Sequence, residues 1–493
     1  MIQGIDYVAI LPPVLCAVAA VVVLLADAFD VPRRWLGVLT CGFLVAALAA
    51  VIVLAAGERR RTFCVPSGLR GAGPRSCSYV TDDFTLLFQG LVLVAAVIVV
   101  LLSLRAIDVD GLPAGEYHFL MLSAIVGALA LVAARDLVTL VVALETLSLP
   151  VFALVGLRRQ DGVAAEAALK LFLVSVVSTA VMLFGISLLY GVTGAMHLDR
   201  LSGGLHGLPA DLKPVASAGA VLVLAGFAFK VAAVPFHFWA PDVYQGAPLP
   251  VAAFLSVVSK AAGFAGLAIV VGLGMPSYGH VWGPVIAVLA AVTMTLGNLM
   301  ALRQGTAIRL LAWSSVAQSG YMLAPLAVGE RRLTEAVAAT TAYVALYAVM
   351  NLGAFAVVVA VQRAGDAPVA IDRFRGLARR DPVSGTALAF FLICLAGLPP
   401  GVMGLFAKVV VFRATVAGDV TWLAVVMAVN TVIGLYYYLA WAVRVFGPPG
   451  PSAEETPRPG LALRAAIVAT TAGALVLSIA PQLVLSAVAS ATA

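Results

Sequence analysis

Residues 224–271 read LAGFAFKVAAVPFHFWAPDVYQGAPLPVAAFLSVVSKAAGFAGLAIVV. Lys230 and Lys260 stand inside apolar runs, and Pro235, His237, Trp239, Pro241, Asp242, Pro248 and Pro250 crowd the interval between them. Proline removes a backbone donor and opposes a continuing helix. An ammonium at bilayer depth costs about 2.5–3.5 kcal/mol on insertion scales, so such residues face a protein interior and find a partner there.

The rest of the chain sets that stretch in a membrane. Of 493 residues, 62% are hydrophobic and 11% charged, with mean hydropathy +1.07, whereas soluble domains run near a quarter charged. Apolar segments long enough to cross about 30 Å of hydrocarbon recur near 7–27, 36–56, 82–104, 116–134, 137–157, 166–190, 214–236, 246–272, 280–301, 307–327, 335–361, 385–413, 419–446 and 461–489. The expected fold is therefore an all-α polytopic membrane protein of about 14 transmembrane helices. The first segment lacks a basic leading region and a cleavage site, and reads as a retained helix.

Loop charge sets the expected orientation, because cytoplasmic loops are enriched in Lys and Arg. With the N-terminus outside, the inner loops hold 15 basic residues and the outer loops 11, five of them within 57–81. That loop also holds Cys64 and Cys77, a pair suited to an oxidising compartment. The expectation is N- and C-termini outside the cytoplasm, with Cys64 and Cys77 disulfide-bonded; two free thiols are the alternative. Cys16, Cys41 and Cys394 read as small core residues. The net charge of +6 is the loops' positive bias and gives no sign of a nucleic-acid partner.

Only five of the 30 basic residues are Lys: Lys170, Lys213, Lys230, Lys260 and Lys408. All but Lys213 fall in apolar segments. Arg stays protonated in any protein environment, whereas a desolvated Lys can give up its proton near neutral pH, so positions that must change charge call for Lys. Glu145, in LVTLVVALETLSLPVFALVGL, is the single acid in the middle of an apolar segment and the natural counter-charge. A structural Glu–Lys clasp is the plainer reading, but one Glu facing three or four Lys suits a chain of titratable sites better. Lys170 follows Glu166 by four residues, so an interfacial i,i+4 pair competes evenly with a buried proton site. His237, seven residues after Lys230, could relay protons or simply hydrogen-bond within the break. Trp239, Trp313 and the run Tyr436–Tyr438 read as packing or interface aromatics. No Cys-x-x-Cys, phosphate loop or nucleophile triad is present, so the chain itself holds no redox centre.

A second interruption occurs in LAGLPPGVMGLFAKVVVF, residues 395–412, where Pro399, Pro400 and Gly401 precede Lys408. Interrupted segments at corresponding places in two halves point to an inverted-repeat core, with segments 4–8 and 9–13 as two five-helix repeats, each with a broken helix. The domain reading is 1–115 for an N-terminal three-helix region, 116–272 and 280–446 for the two repeats, and 447–493 for a C-terminal helix.

These residues carry a family resemblance. FKVAAVPFHFWAPDVYQGAPLPVAAFLSVVSKAAG, IRLLAWSSVAQSGYMLAPL (308–326), YVALYAVMNLGAFAVV (343–358) and FRGLARRDPVSGTALAFFLICLAGLPPGVMGLFAK (374–408) resemble the antiporter-like membrane subunits of respiratory complex I, the NADH-quinone oxidoreductase. The Asp-Val-Tyr-Gln-Gly-Ala-Pro wording, and a Lys rather than Glu at the segment-12 break, favour the subunit N branch over M and L. The resemblance implies proton-translocating roles for Glu145 of helix five, Lys230 of helix seven, Lys260 of helix eight and Lys408 of helix twelve; Lys170 matches a further lysine of some members. Members often have His where this chain has Gln318, so a path here passes that point by water or by amide hydrogen bonding. The resemblance further implies a translocase subunit in the bacterial inner (plasma) membrane. It implies no cofactor on this chain, with FMN, Fe–S clusters and quinone in partner subunits. The implied partners are the other membrane-arm subunits (M, K, J, A and H types) and the bilayer. The nearest rival is a D-type component of a multisubunit sodium/proton antiporter; a membrane spacer without proton traffic is a third reading.

Overall fold

The computed structural model describes residues 4–66, 68, 75–362, 369–449 and 460–492. Three helices lead: α1 (Leu11–Ala28), α2 (Arg33–Ala55) and α3 (Asp83–Asp110). The first repeat follows as α4 (Ala114–Leu131), α5 (Leu137–Val155), α6 (Gly162–Thr193), the surface helix α7 (Leu198–His206), α8 (Lys213–Lys230), the short α9 (Trp239–Gly246) and α10 (Leu249–Gly274). The second comprises α11 (Pro276–Ala301), α12 (Ala307–Leu323), α13 (Leu333–Val361), α14 (Pro382–Ala396), α15 (Val402–Ala417) and α16 (Thr421–Phe446), before α17 (Leu461–Ile479) and α18 (Gln482–Thr492). Among the described residues, 12 helices are long and apolar enough to cross a membrane. All fourteen expected segments are helical. Segment 12 is split into α14 and α15, segment 14 is split at Ala480–Pro481, and α12 is a 17-residue helix extended by a tighter turn at Ala324–Val328.

Several helix starts follow from Asp at the N-cap, whose carboxylate accepts an otherwise orphaned amide. Asp82 receives Thr85 N–H at 2.9 Å, Asp136 receives Thr139 N–H at 2.8 Å, and Asp381 receives Ser384 N–H at 3.2 Å. The two halves pair alike: α4 packs on α5 and α6 on α8, as α11 packs on α12 and α13 on α14 and α15. Helix α10 is wholly enclosed and contacts α3, α4, α8 and α13.

The breaks share a device that the proline pattern did not reveal. α8 stops at Lys230, short of Pro235, and α14 stops at Ala396, short of Pro399 and Pro400. Continuing would drive each ring into the carbonyl four residues back. Both ends close with the same pair of reversed bonds. Ala233 N–H donates to Ala228 O and Ala232 N–H to Phe229 O, while Leu398 N–H donates to Ile393 O and Gly397 N–H to Cys394 O. The left-handed residue this motif demands is Gly397 (φ +82°) in one break and Ala232 (φ +56°) in the other. Backbone freed by the first break is satisfied inside the protein: Val234 N–H donates to Thr293 Oγ1 at 2.9 Å, and Trp239 Nε1 to Phe229 O at 3.2 Å.

The segment read as a polar loop is an antiparallel hairpin of β1 (Arg60–Cys64) and β2 (Cys77–Thr81), with Cys64 opposite Cys77 and a disulfide between them. Most of its turn lies outside the described residues. Next to it, Arg135 donates to Asp82 at 2.8 Å and to Thr85 Oγ1 at 2.9 Å. Burial would raise the pKa of Asp82, but the Arg135 guanidinium and the helix-start hydrogen bonds outweigh it and hold the carboxyl below its ordinary value. On the opposite membrane face Arg105 of α3 donates to Ala360 O and Gln362 O, tying the leading helices to the end of α13.

Candidate proton-relay site

Three lysine ammoniums lie in the interior: Lys230, Lys260 and Lys408 are 8%, 3% and 6% exposed. Among the described residues none has a carboxylate within ion-pair distance. Their partners are hydroxyls, carbonyls and rings. A hydroxyl can donate or accept, and a neutral amine still donates to a carbonyl, so these partners serve both protonation states. A carboxylate would pin the charged one.

Lys230 closes α8, and its Nζ donates to Ser148 Oγ on α5 while lying 5.2 Å from the Phe229 ring centre. A cation at the end of a half-helix meets the negative end of the helix dipole. The expected direct contact with Glu145 is absent. Glu145, half-buried on α5, accepts from Thr179 Oγ1 of α6 at 2.6 Å, and Ser148 stands between it and Lys230, one turn along the same helix face. The two charges thus form no clasp; each bonds a hydroxyl of its own. A cavity of about 20 Å3 adjoins Lys230, with Ser148 and Ser259 on its polar wall; that is room for one water, and Ser259 is the residue before Lys260.

Lys260 follows a turn wound wider than an α-helix, Leu255–Ser259, a feature frequent at functional sites. All three of its N–H groups are used: Ser315 O at 2.7 Å, Ser315 Oγ at 2.6 Å and Ser319 Oγ at 2.8 Å. Tyr347 OH also donates to Ser315 Oγ, at 2.8 Å. Lys408, on α15, reaches back across the second break and donates to Ala396 O at 2.6 Å, the last carbonyl of α14, with the Tyr321 ring 5.5 Å away. Lys230 and Lys408 both sit at the C-terminal end of a half-helix, one as its last residue and the other as its cap.

The remaining expected residues fall elsewhere. Lys170 is exposed and forms the i,i+4 pair with Glu166 at 2.6 Å, plus a second pair with Asp242 at 2.9 Å. Asp242 also meets Arg309 at 3.3 Å, which joins α6, α9 and α12 at one membrane face. His237 lies in the break against the Trp313 ring, 5.4 Å between centres, and takes no part in the lysines' hydrogen bonds.

Sequence reasoning passed over the partners: Ser148, Thr179, Ser315, Ser319 and Tyr347. The signal for two of them was present, since Ser315 and Ser319 recur at i,i+4 on one face of a helix within an apolar segment. The Tyr436–Tyr438 run divides. Tyr436 is exposed, whereas Tyr437 OH donates to Asn298 Oδ1 at 2.9 Å and Tyr438 is buried in polar contacts. Reading the run as packing aromatics was incomplete.

Comparison with known proteins places this arrangement. Residues 134–434 match the family model described as NADH:quinone oxidoreductase/Mrp antiporter, TM. NADH-quinone oxidoreductase subunit N 2 of Streptomyces griseus is 52% identical, covering 98% of this chain and 93% of the relative. A chain in the structure of respiratory complex I from Thermus thermophilus with bound aureothin superposes with a TM-score of 0.79 at 33% identity, covering 97% of this chain and 100% of that one. A chain of the Mrp complex from Dietzia sp. gives 0.84 at 21% identity, covering 99% and 97%, a likeness of fold.

Proposed function

The chain belongs to the family of NADH:quinone oxidoreductase/Mrp antiporter membrane subunits, and from that premise we propose that it is the proton-translocating subunit N of an NADH-quinone oxidoreductase. It is a multi-pass membrane protein. The observation that carries the reading is the set of three buried amines whose hydrogen bonds go to groups indifferent to protonation state. A structural clasp has no use for that indifference; a relay requires it.

In this mechanism Glu145 sets the charge preference at Lys230 across Ser148. A charge change in an adjacent subunit that neutralises or displaces Glu145 withdraws that support, and Lys230 passes its proton by the one-water cavity toward Lys260, and thence toward Lys408. Restoring Glu145 reloads Lys230. Oxidation of NADH and reduction of quinone belong to partner subunits bearing FMN and Fe–S clusters. The neighbours in this assignment are the other membrane-arm subunits, of M, K, J, A and H type. The plasma membrane, with both termini outside the cytoplasm, is the proposed setting, supported by the loop charge balance and by the Cys64–Cys77 hairpin lying on the face so assigned. The two repeats are taken as 116–272 and 280–446. Lys170 and His237 enter as surface and break residues, from which a proton route could be fed.

Purification of the chain with its native partners tests the assignment. Copurifying flavin and Fe–S clusters, with NADH-driven acidification in reconstituted vesicles, are expected. Copurification with antiporter components alone, and sodium-driven proton movement that ignores NADH, would replace this reading with the antiporter one.

A further inference from the structure

Lys260 and Lys408 belong to different halves, and Gln318 of α12 stands between their partners. Both ends of its amide are fixed. Leu395 O, a pure acceptor, lies 3.5 Å from Gln318 Nε2, so the amide nitrogen faces α14. The opposite end, Oε1, accepts from Tyr343 OH. With the amide so oriented, Nε2 also donates to Tyr438 OH at 3.1 Å. Tyr438 OH also shares a hydrogen bond with Ser314 Oγ. Ser314 adjoins Ser315, which holds Lys260; Leu395 adjoins Ala396, which holds Lys408. Tyr343 stacks on Tyr321, 6.3 Å between centres and 3° from parallel, and Tyr321 is the ring facing Lys408. Ser314, Gln318, Tyr343 and Tyr438 are all buried, and four such polar groups have no packing reason to converge in a membrane interior.

We infer that Tyr438 is the relay hydroxyl between the Lys260 serines and Lys408, and that Gln318 and Tyr343 are positioning residues that hold it. The inference rests on the proton-translocation reading above. Gln318 N–H occupies one lone pair of the Tyr438 oxygen and holds the hydroxyl in place, leaving the oxygen able to accept from Ser314. In transfer, Ser314 takes a proton passed from Lys260 by Ser315 and a water molecule as it gives its own to the Tyr438 oxygen, whose proton leaves to a second water, which delivers one to Lys408. Each oxygen forms one O–H bond and breaks one, so only Lys260 loses and Lys408 gains a proton. The amide never takes up the proton, which suits a holder that must keep one orientation.

The test compares Tyr438→Phe, Gln318→Leu, Gln318→His and Lys260→Met in assembled complex reconstituted in vesicles. Tyr117→Phe, which loses a buried hydroxyl bonded to Ser103 at 2.7 Å far from the relay in the sequence, is the control. Protons moved per quinone reduced by this subunit's contribution should fall about tenfold in Tyr438→Phe and Gln318→Leu. That is below the hundredfold typical of a lost proton-transfer group, since water can replace a hydroxyl in part. Tyr117→Phe should pump normally. Gln318→His should pump and acquire a new inflection in its pH profile between about pH 5 and 8, which a packing role would not produce. Normal pumping in both Tyr438→Phe and Gln318→Leu, with Lys260→Met impaired, overturns the bridge. Normal pumping in Lys260→Met as well overturns the reading on which it rests.

Discussion

Lys408→Met separates a relay from a clasp most sharply. Methionine keeps the length and flexibility of the side chain but removes the charge. Eliminating an ammonium at this depth recovers about 2.5–3.5 kcal/mol. Against that stands one charge-assisted hydrogen bond, to Ala396 O, of about 1.5–3 kcal/mol, and one ring contact, to Tyr321, of about 0.5–2 kcal/mol. These contributions cancel to within about 2.5 kcal/mol. Were Lys408 half of a buried ion pair, its loss would strand a charge and cost about 3–5 kcal/mol. The expected result is an assembled complex whose thermal midpoint moves by a few degrees at most and whose NADH-driven proton pumping is impaired. Midpoints would be followed by heating purified complex, and pumping by a pH-sensitive dye in vesicles, normalised to quinone reduction. Severe destabilisation with undiminished pumping in the surviving complex would refute the reasoning.

Lys260→Met should be no more destabilising than Lys408→Met, because Ser315 O keeps the Ser319 hydroxyl and Ser315 Oγ the Tyr347 hydroxyl as donors, whereas Lys408→Met strands the Ala396 carbonyl; the same melting comparison checks the order. Lys230→Arg should impair pumping nearly as much as Lys230→Ala, since Arg keeps the charge but cannot release the proton, and the adjoining cavity of about 20 Å3 leaves little room for a guanidinium. Glu145→Gln should lower pumping while leaving assembly intact, because the carboxylate's one hydrogen bond, from Thr179, can be kept by the amide oxygen. Asp82→Asn retains a good N-cap but loses the Arg135 ion pair, and should cost about 1–3 kcal/mol at neutral pH. Because the folded carboxyl sits below its usual value, that contribution is present above the unfolded pKa of about 4 and fades as pH falls through the folded one. Hydrogen exchange across 77–85 should therefore distinguish the variants at pH 7 and converge in acid.

The sequence by itself determined the class of fold and the identity of the charged residues. Hydrophobic length is a local property, so each of the fourteen segments could be read from its own residues, and a lysine in an apolar run announces its cost without any knowledge of its neighbours. The two interruptions were legible for the same reason, since a proline's clash reaches only four residues back. What met across the interior was not legible. Ser148 serves Lys230 from 82 residues away and Ala396 O serves Lys408 from a backbone group, and a carbonyl has no letter in the sequence. Opposite charge suggested a Glu145–Lys230 contact, yet α5 turns Glu145 toward Thr179 of α6 and offers Lys230 the serine one turn on. Tyr438 reads as an ordinary interface aromatic until α16 packs against α14 and brings it to Gln318. Helix packing decided those contacts, because which face of a helix turns inward depends on every neighbour at once.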